Sequence, residues 1–100
     1  MTDAPGRVTI RLPQALAEYA GGSRTIDLAV GEGRTLADVL DILRQEAPGV
    51  ARRVQDETGS IRRFVNVYVG DDECRVLDGL STPVPPGSVV MVIGSVAGGA

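Results

Sequence analysis

The residues best placed to do chemistry close the chain: Val96-Ala97-Gly98-Gly99, followed by Ala100. A diglycine has no side chains and reaches backbone angles barred to other residues, so it can thread a narrow channel into another protein's active site. A carboxylate at the end of such a thread is a poor electrophile and must first be adenylated by an ATP-using partner. While Ala100 is attached, Gly99 holds an amide carbonyl and not a free acid. The expectation is therefore that Ala100 is removed, that Gly99 becomes the acyl group, and that Gly98, Ala97 and Val96 form the slim neck a partner recognises. Histidine is absent, which takes away the commonest general base and the commonest metal ligand. No catalytic residue and no metal site of the chain's own is expected, and no cofactor is expected to be bound.

Other reactive residues read more plainly. Cys74 is the single cysteine; with only Arg75 beside it to lower its pKa, it reads as an ordinary strand residue and not a sulfur relay. Asp71-Asp72-Glu73 diverge in a turn and lack calcium-loop spacing. Gly31-Glu32-Gly33 lacks the later glycine and the Lys-Ser/Thr pair of a phosphate loop, so it reads as a turn. Arg62 and Arg63 are solvated charges or docking residues. Asn66, between Phe64 and Tyr68, is expected to make a structural hydrogen bond.

The elements that must position the tail follow from composition and pattern. One hundred residues suffice for one domain burying roughly 60 to 65% of its unfolded surface. With three aromatics among them, the core must be Val, Leu, Ile and Ala. A net charge of −3 and a pI near 4.8 argue against nucleic-acid binding, which calls for a basic stripe, and point to a partner with a basic docking surface. No signal sequence is evident, and the longest apolar run, Val89 to Ile93, is too short to span a bilayer. The expectation is a cytoplasmic protein without nucleic-acid or membrane partners.

Residues 1–6, with Pro5 and Gly6, read as a flexible leader, 7–95 as the folded domain and 96–100 as a flexible tail. Arg7 to Leu12 and Thr25 to Val30 alternate polar and apolar residues, predicting an antiparallel pair joined through a loop or helical turn at 14–24. Thr35 with Asp38 three residues on is a carboxylate capping box. Leu36, Val39, Leu40 and Leu43 then recur at helical spacing, and Pro48 ends the helix near Ala47. Val50 to Asp56 reads as a short second turn. Phe64 to Val69 predicts a strand, with a hairpin return through Cys74 to Leu77. Gly79 to Gly87, with three prolines, holds no long regular element. The unbroken apolar run Val89 to Ile93 predicts a central strand with both faces covered. A hairpin, a packed helix, a second hairpin and a central final strand parallel to the first match an α+β fold of the β-grasp type, with four to five strands and one main helix.

Arg63-Phe64-Val65-Asn66-Val67-Tyr68-Val69, Gly79-Leu80-Ser81-Thr82, Gly87 and the closing Val96-Ala97-Gly98-Gly99 together resemble the ubiquitin-like sulfur carriers, which include the molybdopterin-synthase small subunit and the thiamine sulfur carrier. The closest likeness is to the actinobacterial carriers of cysteine biosynthesis. The resemblance implies a carrier and not an enzyme, adenylated by an E1-like adenylating and sulfurtransferase enzyme that consumes ATP and leaves a thiocarboxylate at Gly99. It further implies that the thiocarboxylate attacks an aminoacrylate on a pyridoxal-phosphate-dependent synthase. An acyl shift then links cysteine to the last glycine, and a metallopeptidase cuts after that glycine. The same cut, after Gly99, would mature the chain by releasing Ala100.

Three alternatives stay open on the residues themselves. One is a ubiquitin-like modifier conjugated to lysines through Gly99. Another is a carrier for molybdopterin, thiamine or a specialised sulfur metabolite. The third is a β-grasp binding module with an inert tail.

Overall fold

The first strand, β1 (Arg7–Arg11), pairs antiparallel with β2 (Thr25–Ala29) in the register Arg7 to Ala29 through Arg11 to Thr25. The computed structural model describes residues 6–94. Between the two strands lie a four-residue helix, α1 (Gln14–Ala17), and a 3-10 turn ending at Gly21 in the left-handed region. Of the loop or helical turn that the sequence left open there, the helical turn forms. Gly6, placed with the leader by its sequence, belongs to the fold. It is buried, its carbonyl accepts from the amides of Val30 and Gly31, and a Cβ on it would lie 2.6 Å from the Gly31 Cα. Only glycine permits that approach at φ 79°.

After a two-residue strand, β3 (Arg34–Thr35), comes the main helix, α2 (Leu36–Glu46). Its capping box forms as the sequence predicts. The Asp38 amide donates to Thr35 Oγ1, and the Thr35 amide donates to the Asp38 carboxylate. Leu36, Val39, Leu40 and Leu43 are all buried. Pro48 stops α2, then does more than expected by starting a further helix, α3 (Pro48–Val54), where its missing amide proton costs nothing. Val50, Ala51 and Val54 bury against the core.

Then come β4 (Val65–Val69) and β5 (Asp72–Glu73). The expected return strand through Cys74 to Leu77 does not form. β5 ends at Glu73, whose carboxylate accepts from the Arg75 amide and turns Cys74–Val76 into a 3-10 helix. A 3-10 turn (Gly79–Ser81) and β6 (Pro83–Val84) follow, with β6 pairing β3 in a small second sheet.

The final strand, β7 (Val89–Gly94), lies in the middle of the sheet order β2-β1-β7-β4-β5, parallel to β1 and antiparallel to β4. Its central place is as predicted; the covering of both faces is not. Val90 and Val92 are buried against the helices, whereas Val89 and Ile93 on the other face are 40% and 38% exposed. Centrality supplies backbone pairing on both edges of a strand, and that does not require a second layer over its faces. No helix among the described residues is long and apolar enough to cross a membrane.

Candidate functional site

Val96, Ala97, Gly98, Gly99 and Ala100 lie outside the described residues, as does Ser95. What the structure places is the root from which they extend, Gly94 at the end of the central strand. Val65, the first residue of β4, is its partner across the ladder. Ile93 pairs with Asn66, and Met91 with Tyr68 on one side and Arg11 on the other. Because side chains alternate along a strand, these residues share the face turned away from α2. That face carries an apolar stripe, Val89, Met91 and Ile93, flanked by Tyr68 and Asn66.

The segment next to the root is tied down by one side chain. Arg75 donates through Nη2 to the carbonyls of Val65 at 3.0 Å and Arg62 at 3.2 Å. Through Nη1 it donates to the Glu73 carboxylate at 3.0 Å and to Asn66 Oδ1 at 3.3 Å. A planar guanidinium with five donors suits such a four-way clasp, which a lysine ammonium could not reproduce. The Val65 amide closes the same turn onto the Arg62 carbonyl. Held this way, Phe64 stands 52% exposed beside the tail root, with Arg62 and Arg63 exposed next to it. The expected structural bond to Asn66 is thus present, and its donor is Arg75. Sequence reasoning weighed Arg75 only as a neighbour of Cys74; its clasp carried no signal because Asn66 and the two carbonyls it holds lie 9 to 13 residues away.

Cys74 is fully buried, and burial, with the Glu73 carboxylate beside it, pushes its thiol pKa up. A protonated, enclosed thiol is no relay, in keeping with the sequence reading. Asp71 to Glu73 gather no metal-ligand cluster among the described residues. Gly31 and Gly33 both take positive φ in the turn between β2 and β3. A cleft of about 650 Å³ lies between α3 and the turn at 56–59, lined by Arg44, Arg52, Gln55, Asp56 and Arg62. There Asp56 is held below the usual carboxylate range by hydrogen bonds from Thr58 and Ser60. The Gln55 side chain is satisfied by Arg44 and the Gly59 carbonyl, so the cleft shows turn architecture and no catalytic grouping.

Comparison with known proteins accords with this geometry. Residues 10–99 match the ThiS family. The sulfur carrier protein CysO of Mycobacterium tuberculosis is 34% identical over 94 residues, covering 92% of this chain and 98% of that protein. Its crystal structure superposes with a TM-score of 0.78 at 32% identity, over 89% of this chain and 99% of that one. A CysO from Amycolatopsis orientalis, solved in complex with BexX, superposes with a TM-score of 0.75 at 30% identity, over 89% and 96% of the two chains. Small archaeal modifier protein 3 of Haloferax volcanii is 36% identical over 78 residues, 78% of this chain and 84% of that protein. A five-stranded β-grasp sheet whose central strand leads into a diglycine, matched almost end to end by such relatives, is a carrier body and not an enzyme: the chain belongs to the ThiS family of ubiquitin-like sulfur carriers.

Proposed function

We propose that Gly99, once Ala100 has been removed, is adenylated by an E1-like partner using ATP and converted to a thiocarboxylate that donates its sulfur to a biosynthetic enzyme, with cysteine the product. The observation that carries this reading is the tail root. The central strand ends at Gly94, five residues before Gly99, and five residues reach at most about 17 Å. That is enough to enter a partner's active site while the body docks outside it. The family match ends at residue 99, which supports Gly99 as the counterpart of the family's last glycine.

The body offers a face for that docking. The stripe of Val89, Met91 and Ile93, with Phe64 beside the root, gives apolar contact; Arg62 and Arg63 are exposed next to Phe64, and Arg11 pairs with Met91. Although the chain is acidic overall, the exposed charges next to Phe64 at the root are Arg62 and Arg63, so a partner surface complementary to that corner is apolar with acidic groups opposite them. Net charge alone suggested a basic partner surface; the arginines at this corner favour an acidic one there. The complex of the Amycolatopsis orientalis CysO with BexX supports a partner protein that docks on the carrier body, and the likeness to CysO supports cysteine over molybdopterin or thiamine synthesis, with a pyridoxal-phosphate-dependent synthase as the acceptor that route calls for. A metallopeptidase that cuts after Gly99 supplies the mature end.

Two measurements test the reading. Protein ending at Gly99, given ATP, sulfide and a CysO-activating E1-like enzyme, is expected to gain the mass of one oxygen replaced by sulfur; failure to acquire sulfur sinks the proposal. Full-length chain treated with a metallopeptidase that releases cysteine from a carrier adduct is expected to lose Ala100. Retention of Ala100 under those conditions removes the maturation step.

The likeness to small archaeal modifier protein 3 favours a second reading, conjugation through Gly99 to protein lysines. Recovery of isopeptide-linked conjugates, with no thiocarboxylate, would establish it.

A further inference from the structure

All ten basic residues of this chain are arginine; it contains no lysine, no histidine and one cysteine. Lysine is ordinarily among the commonest residues, so a surface with ten guanidiniums and no ammonium is unusual. The difference has chemical weight in a chain that carries an activated acyl group. Adenylates and thioesters are captured by neutral amines, thiolates and imidazoles. At pH 8 about 0.4% of lysine side chains are neutral, against a fraction about a hundredfold smaller or less for arginine, whose guanidinium stays protonated. The one thiol, Cys74, is fully buried behind Glu73 and Arg75, out of reach of any acyl group.

The arginines stand where a nucleophile would do most harm. Whatever path residues 95–99 take, Gly99 stays within about 17 Å of Gly94. Val65 pairs with Gly94, Arg63 lies two residues from Val65, and Arg75 is bonded to the Val65 carbonyl. A tethered amine at any of these positions would meet the acyl carbon at an effective concentration of about a millimolar or more.

We infer that the side chains of this protein are chemically inert toward its own activated end, so that it can be charged at high concentration without side-chain cross-linking and does not build lysine-linked chains of its own kind. This rests on the acyl chemistry at Gly99 proposed above, and it separates a recyclable carrier from a chain-forming modifier. The reaction avoided is amide formation. A neutral amine attacks the Gly99 carbonyl carbon, the bond to the leaving group breaks, the leaving group departs with the electron pair, and the surplus amine proton passes to it or to water.

The test needs no activating partner, so its failure is distinct from failure of the carrier reading. N-terminally acetylated protein ending at Gly99 as a thioester is held concentrated at pH 8 and followed by intact mass and denaturing gel. The wild type is expected to yield the hydrolysed monomer alone. Arg63→Lys, which keeps the charge, is expected to give at least about tenfold more amide product, ring-closed or dimeric, mapped to position 63. Arg62→Lys serves as the second probe if Arg63→Lys folds poorly. Amide products from the wild type at the rate of the lysine variants, or lysine variants as inert as the wild type, would overturn the inference.

Discussion

The two faces of β7 are built from the same kind of residue and do different things. Val90 and Val92 are packed beneath α2 and α3 and hold the body together; Val89, Met91 and Ile93, one residue out of phase, stay open beside the tail root. Apolar character therefore does not report burial here. The side of the sheet on which the helices lie decides which valines are core and which are surface, and an exposed apolar stripe on the strand that leads to the tail is the face proposed above for docking.

The sharpest way to break this contrast is to mutate both sides. Leu40→Ala, in the helix that covers the inner face, removes a fully buried side chain and should cost about 3 kcal/mol, read as a lowered denaturant midpoint. Ile93→Ser on the open face should change stability by less than about 1 kcal/mol, yet raise the KM for activation by the E1-like partner about tenfold, as loss of a contact worth about 1.4 kcal/mol would. An unchanged KM would mean the open face is not where that partner binds. A smaller effect is expected at the clasp beside the root. Arg75→Ala should cost about 1.5 kcal/mol, reduced by the exposure of its guanidinium, and should speed amide exchange at Val65 while amides in α2 are unaffected. Equal exchange in both proteins would show that the turn holds itself. Thr35→Ala, far from the tail, should cost about 1 kcal/mol through loss of the N-cap and leave activation unaltered.

The smallest expected effect is on pH dependence. Asp38 is held below the usual carboxylate range by hydrogen bonds from Thr35, and Asp56 likewise by Thr58. Both carboxyls are more acidic folded than unfolded. Their contribution is present above the unfolded value of about 3.9 and is lost as pH falls through the lower folded value. Thermal midpoints should fall as pH drops below about 4, and Asp38→Asn should make that fall shallower.

Much of this was legible in the residues. The capping box at Thr35 and Asp38, the stripe from Leu36 to Leu43, the alternation in β1 and β2 and the glycine-bounded turns are local signals, carried by spacing within a few residues. The diglycine was legible too, because its chemistry needs the absence of side chains and no particular environment. The return strand after Glu73 was misread because one side-chain hydrogen bond to the Arg75 amide outweighed strand propensity. The helical role of Pro48 was underread because a proline that ends one helix is equally suited to begin the next.

By itself, then, the chain's sequence determined its class, most of its elements and the diglycine on which the proposed chemistry rests, since hydrophobic period, caps and missing side chains are properties of neighbouring residues. Only the tertiary structure decided that β7's outer valine and isoleucine stay open, that Cys74 is sealed away, and that Arg75 grips Val65 and Arg62 beside the tail. Each of those depends on which distant segment lies against a residue, and burial and hydrogen bonding between distant segments come into being only when the layers pack.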